Sequence, residues 1–345
     1  AAPTDPAPTD PEQQRALAER YRAYGAACAQ HSGDGLALVG TDSTAEDLER
    51  IRIALGDDRL TFIGHSAGTF LGAIYADRYP GRVRGLVLDG AVDPSLRLDQ
   101  RVSAQAAGFE ASLRSFLEWC AATSSCAWRP MGDLKAAFLV LMDRIRNQPL
   151  AAPEGELVGV AKLLNGTLGR LTSRSRWASL GDALAAAEGG DGGPFATLSS
   201  RYSNGGASNA AEARSAITCL DHPSLRDLES YPALADAARI ESPVFGPVFV
   251  WSTLSCGVWP HQASLAARPV RAAGAPPILV VGTTGDPATP QAWAEALAAQ
   301  LESGVLVLRQ GAEHVAYYYS SCVRAIVDDY LINGSAPASG TVCSR

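Results

Sequence analysis

Three residues far apart in the chain have the types and settings of a hydrolytic site. They are the serine of Gly64-x-Ser66-x-Gly68, the aspartate of Gly285-Asp286-Pro287 and the histidine of Glu313-His314. A serine hydroxyl is a weak nucleophile near neutral pH, so it needs a base to take its proton, and the base needs an acid to hold its ring. A nucleophile carried on a sharp strand-to-helix turn is followed along the chain first by its acid and then by its base. Ser66, Asp286 and His314 come in that order. The expected roles are therefore Ser66 as nucleophile, Asp286 as acid and His314 as base, in chemistry that needs no metal and no organic cofactor.

Other residues compete for these roles. Asp286 could instead open the helix that begins near Thr289-Pro290. Asp89 and Asp93 follow the strand after the serine turn and are rival acids. His65 abuts Ser66, but consecutive side chains at a tight turn point apart, so it reads as a residue that shapes the pocket. His31, His222 and His261 lack a strand-end setting and read as structural or solvated.

The elements that must position these groups are legible in the apolar pattern. Leu60–Ile63 is a short strand, and behind the serine turn Phe70, Leu71, Ile74 and Tyr75 recur at helical spacing until Pro80-Gly81. Gly64, Gly68 and Gly72 stand four apart, a smooth face on which that helix can approach a sheet, and a strained turn needs small neighbours two residues from the serine. Val83–Leu88, Pro277–Val281 and Val305–Leu308 read as further strands, with a helix over 291–301 between the last two. Strands alternating with helices predict a parallel sheet. Asp286 and His314 then lie just past the carboxyl ends of strands, where open α/β sheets collect their sites.

Elsewhere, residues 11–30 read as a helix, and Ser43-Thr44-Ala45-Glu46 reads as a capping box opening a helix that stops at Gly56. Residues 1–10, rich in Pro, Ala and Thr, read as disordered. Residues 95–270 are helical in pattern, with a flexible GGDGG patch at 189–193. The expected division is 1–94 as the first part of a sheet domain, 95–270 as an inserted helical cap and 271–345 as the second part.

Over 345 residues, 47% are hydrophobic and 19% charged, with a net charge of −7. This is a globular composition without the basic excess that nucleic acid or an anionic membrane calls for. No apolar stretch reaches the about 18 residues of a membrane span. The first residues have neither the charged nor the apolar region of a signal peptide. Of the seven cysteines, Cys120 and Cys126, Cys219 and Cys256, and Cys322 and Cys343 fall into three local pairs, expected as disulfides of an oxidising compartment, and Cys28 is left over. A zinc alternative, Cys219-x-x-His222 with Cys256-x4-His261, has a spacing that matches no familiar finger. Secretion is the expectation.

Several stretches resemble the secreted actinobacterial α/β-hydrolases related to tripeptidyl aminopeptidases, with their TAP-like C-terminal region. "STAEDLERIRIALG" is similar to the helix before the serine turn, and "GHSAGTFLGAIYADRYPGRVRGLVLDGAVDP" to the block around it. "AITCLD" and "SCGVWP" look like two cap landmarks. "PPILVVGTTGDPATP" and "EHVAYYYSSCVRAIVDDYLINGSAPASGTVC" resemble the C-terminal region. The resemblance implies an α/β-hydrolase fold with a helical cap, and Ser66, Asp286 and His314 as the triad. It also implies an exopeptidase that releases short peptides from free N-termini, with a cap carboxylate for the substrate ammonium.

The chain departs from that pattern in places. His65 and Ala67 stand where the family commonly has aromatic residues, and Glu313 where it often has glycine. The family also carries earlier strands and an HGG-type loop that donates to the oxyanion. The 59 residues before Leu60 contain no such loop, which leaves the Ala67 N–H as one donor without its partner. From this we expect core strands before the serine turn to be missing, and an N-terminal companion segment or chain to supply them. An esterase with the same triad, acting on a small ester, is the alternative enzyme. A catalytically incomplete fragment or subunit is the alternative of another class.

Overall fold

A computed structural model of the protein describes residues 3–202 and 209–344. The chain forms two compact units, one of residues up to Cys28 with Phe109–Ser215 and Leu225–Trp259, the other of Ala29–Gly108, Ala216–Ser224 and Pro260 onward. These units cross the boundaries drawn from composition. Residues 95–108, 216–224 and 260–270 fold with the sheet, and the N-terminal residues fold with the helices.

Among the described residues seven strands form: β1 (Leu60–His65), β2 (Val83–Asp89), β3 (Leu150–Ala151), β4 (Leu157–Val158), β5 (Ile278–Thr283), β6 (Gly304–Arg309) and β7 (Thr341–Cys343). In the second unit β1, β2, β5, β6 and β7 make one sheet in that order, and every neighbouring pair is parallel. The expected mostly parallel sheet is present. Leu86, Val87, Leu88 and all of Ile278–Val281 are fully buried. A parallel sheet covered on both faces needs such unbroken apolar runs. On one face Phe70, Ala73 and Ile74 of the helix Ala67–Arg78 pack with Leu86 and Leu88, alongside Trp293 and Leu297 of the helix Gln291–Gln300. On the other, Val323, Val327 and Tyr330 of the helix Ser321–Asn333 cover Val87, Leu279 and Val307.

β7 is a strand the apolar pattern does not reveal, since it is three residues long. A disulfide ties its Cys343 to Cys322 at the start of the helix Ser321–Asn333, 21 residues away. Opening that loop with Cys322→Ser is expected to lower stability by about 2–4 kcal/mol. A denaturant midpoint unchanged from the parent protein would show that hydrogen bonds alone hold β7.

The predicted capping box is not formed. That helix runs Thr41–Ala54 and Gly40 caps it without a side-chain bond. The Asp221 carboxylate accepts the Thr41 N–H at 2.7 Å and the Thr41 hydroxyl at 2.6 Å. A carboxylate at a helix N-terminus satisfies an otherwise orphaned donor and complements the helix dipole. Asp221 therefore starts the helix two residues ahead of Ser43.

In the helical unit, Leu163, Leu164, Leu180, Leu184 and Phe195 are buried. Residues 3–10 are packed rather than disordered. Asp5 pairs with Arg146 at 2.8 Å and accepts the Ala7 N–H, while Ala7 and Leu17 join Tyr231, Ala235 and Trp251 in one apolar cluster. Proline-rich backbone loses little conformational freedom on being fixed, so these few contacts suffice. The GGDGG patch is likewise ordered: Gly192 N–H donates to Ala151 O at 2.8 Å, and a Cβ there would come within 2.9 Å of that oxygen. Cys120 and Cys126 are bonded, Cys219 and Cys256 are also in disulfides, and Cys28 is free. Among the described residues no helix is long and apolar enough to cross a membrane.

Candidate active site

β1 ends at His65, and Ser66 then takes φ 53°, ψ −120° before the helix begins at Ala67. A non-glycine residue in such a conformation costs of order 1–3 kcal/mol and persists only where its surroundings dictate it. Here the Ser66 N–H donates to Asp89 O at 2.9 Å. Ser66 O in turn accepts the Thr69 N–H at 2.9 Å and the Thr69 hydroxyl at 2.6 Å. A Cβ on Gly64 would meet Gly68 O at 2.4 Å, and one on Gly72 would meet Leu88 Cδ2 at 2.6 Å. Glycine is required at Gly64, where the clash is with backbone, and at Gly72 it lets the Leu88 side chain pack directly against the helix. At Gly68 a Cβ would touch nothing within 4 Å, so the expected three-glycine face reduces to two. The Ala67 N–H is one of the first donors of its helix, which have no intrahelical acceptor.

Asp286 follows β5 and does both things the sequence offered as rivals. One oxygen accepts the Ala288 and Thr289 N–H groups at 2.9 and 3.0 Å, and the other accepts the Thr289 hydroxyl at 2.8 Å. The same carboxylate lies 2.9 and 3.0 Å from His314 Nδ1. An ionised carboxylate has about four acceptor sites, enough for both tasks. Thr289, whose hydroxyl also lies 3.3 Å from His314 Nδ1, was not singled out from sequence. Its position three residues after Asp286 in a turn was the available signal.

His314 sits in the loop after β6, and the next residue, Val315, is held at φ 73°. Asp89, fully buried, accepts the Ala316 N–H at 2.9 and 3.1 Å and the Tyr317 N–H at 2.9 Å. This rival acid therefore grips the backbone of the histidine loop, while its own carbonyl holds Ser66. Asp93 is occupied by Ser95 and Gln300. Glu313 turns to Arg309 at 2.6 Å. His65 lies with its ring centroid 5.0 Å from Tyr318 and 6.3 Å from Tyr317, and its Nδ1 is 3.5 Å from Asp89 Oδ2, beyond good hydrogen-bond reach.

The serine turn and the histidine meet at the carboxyl end of β2. A Cβ on Gly90, the residue after Asp89, would come 3.4 Å from His314 Cε1. Among the described residues no hydrogen bond joins the Ser66 hydroxyl to His314; in substrate-free sites such bonds are often long and tighten in the complex. Burial pulls the His314 pKa down, but its hydrogen bond to Asp286 and the charges of Asp286 and Asp89 outweigh this and raise it above the ordinary value. Of the remaining histidines, His222 is buried against Arg101. Cys219 and Cys256, with their sulfurs in disulfides, cannot present thiolates to zinc as the alternative set required.

The family profile described as alpha/beta hydrolase fold matches residues 6–145, and that described as TAP-like protein matches residues 242–343. The fold is that of the α/β-hydrolases, and the C-terminal region is TAP-like. The chain is 34% identical over 328 residues to serine protease Hip1 of Mycobacterium tuberculosis, covering 89% of the chain and 62% of that relative. It is 28% identical over 358 residues to the tripeptidyl aminopeptidase of Streptomyces lividans, covering 100% of the chain and 65% of the relative. To carboxylesterase B of Mycobacterium tuberculosis it is 32% identical over 338 residues, covering 94% and 64%. The chain thus spans less than two thirds of the length of the curated relatives it matches.

Proposed function

We propose that this chain carries the catalytic machinery of a serine hydrolase, acting as an exopeptidase on short peptides with free N-termini. The pairing of Asp286 with His314 Nδ1 at 2.9 Å beside the strained Ser66 turn is the observation that carries this reading. His314 Nε2 takes the Ser66 proton as Oγ bonds to the substrate carbonyl carbon, and the carbonyl π electrons move onto oxygen, where the Ala67 N–H donates. Collapse breaks the C–N bond, and His314 passes its proton to the leaving amine. Water then repeats the cycle on the acyl-enzyme, while Asp286 holds the proton on Nδ1.

The relatives named serine protease and tripeptidyl aminopeptidase support the peptidase over other acyl transfers. The disulfides support a secreted enzyme. In this reading the inserted helical residues supply the carboxylate that pairs with the substrate ammonium. Unblocked tripeptidyl amides are then expected to be cleaved at least about tenfold faster than N-acetylated ones, the worth of one charged hydrogen bond. Equal rates, or a preference for acyl esters, would assign the esterase. The relative named carboxylesterase B gives that second reading its support.

Among the described residues β1 has no partner strand on its outer edge, and an open edge invites pairing. Further strands supplied there by a companion segment would also bring the second oxyanion donor, whose loss costs roughly 10²–10³ in rate.

A further inference from the structure

Among the described residues Arg101 is a cation without an ion-pair partner. Its Nη1 lies 2.7 Å from His222 Nε2, and no carboxylate of the described residues is within ion-pair distance of its guanidinium. His222 is 3% exposed, and burial, then the Arg101 charge, pushes its pKa down to about 3. The ring is therefore neutral, and since arginine only donates, Nε2 must be the acceptor. Asp221, whose charge acts on Arg101, has both oxygens engaged by Thr41. A guanidinium has five N–H donors in a planar fork, and among the described residues only this one contact is made, while Arg101 remains partly exposed. Buried cations are normally paired. One backed by a neutral acceptor, with donors to spare, is preformed for an anion that arrives from outside.

Its position ties it to the catalytic groups. Phe70, on the helix that starts right after Ser66, lies 5.3 Å ring to ring from His222. One turn along its own helix from Arg101, Gln105 Nε2 donates to Ala288 O at 2.7 Å. At Gly108 a Cβ would come within 2.6 Å of Pro287 O. Positions 101, 105 and 108 share one helix face, so the face that carries Arg101 lies along the Asp286 turn.

We propose that Arg101, backed by His222, is a substrate-anion subsite that takes a carboxylate of a short peptide through its guanidinium fork. Calling the ligand a substrate rests on the hydrolase reading; the anion site itself does not. The test is calorimetric binding to the Ser66→Ala protein, with Ala-Ala-Glu amide, Ala-Ala-Gln free acid and Ala-Ala-Gln amide as probes. One or both carboxylate peptides are expected to bind about tenfold to a hundredfold more tightly than the neutral amide, and which of them does so separates a side-chain from a terminal carboxylate. Adding Arg101→Gln should erase the difference, Arg101→Lys should keep part of it, and Arg101→Gln should melt at or above the parent temperature because an uncompensated cation is removed. Equal affinities, no binding by any probe, or a lowered melting temperature with equal loss for all three would overturn the proposal. Because no turnover is measured, failure here leaves the Ser66 result standing, and a protein that hydrolyses nothing can still pass.

Discussion

Ser66→Ala is expected to lower hydrolysis by roughly 10⁵–10⁶-fold, the scale on which loss of a nucleophile acts when the triad works as a unit. Covalent labelling by a fluorophosphonate should vanish with it. The substitution removes only Oγ. The bonds that hold the turn are from the Ser66 N–H to Asp89 O and to Ser66 O from Thr69, all main-chain on the serine side. Melting temperature should therefore hardly move, so lost activity cannot be put down to unfolding. His314→Ala should lower both readouts severely. Undiminished labelling of Ser66→Ala would sink the nucleophile assignment.

Asp286→Asn should cost about 10⁴ in kcat/KM, because an asparagine amide can donate to Nδ1 and so trap the wrong tautomer. The pH profile gives an independent sign. The His314 pKa is raised above 6.5 by Asp286 and Asp89 against burial, and only the neutral ring can take the serine proton. Activity of the parent enzyme should then fall as pH drops through a value above 6.5, and in Asp286→Asn the acid limb should move to lower pH. Asp89→Asn is the control that separates the two carboxylates. It keeps one acceptor for the Ala316 and Tyr317 N–H groups and loses the charge, so a loss of roughly 10–10² is expected, with a lowered melting temperature. If Asp89→Asn were the more damaging of the two in rate, the acid would have to be reassigned.

Much of this site was legible because each of its residues follows a short strand with an apolar run. Leu86–Leu88 and Ile278–Val281 are continuous, apolar and fully buried because the middle of the sheet is covered on both faces. The runs at Leu60 and Val305 are only partly buried, and the ends of these strands mark where Ser66, Asp286 and His314 emerge. The order of the three carried the rest. The chain's own pattern thus determined the strands and their parallel arrangement, and the order Ser66, Asp286, His314 gave the expected triad.

Other features were decided only in three dimensions. Asp221 caps a helix 180 residues away, displacing a capping box that looked sound locally. Asp286 was the expected acid and Asp89 its rival, and the fold sets Asp286 against the imidazole and Asp89 against the loop behind it. β7 is too short to show a period, and its place follows from the bond between Cys322 and Cys343. Residues 3–10 have the composition of a disordered tail, yet Asp5 and Ala7 find Arg146 and an apolar cluster. In each case local propensities are worth fractions of a kcal/mol per residue, whereas one buried hydrogen bond to a charge is worth about 1.5–3 kcal/mol. Periodicity reports which face of an element is buried, but which distant polar group meets it is settled only when the chain closes on itself.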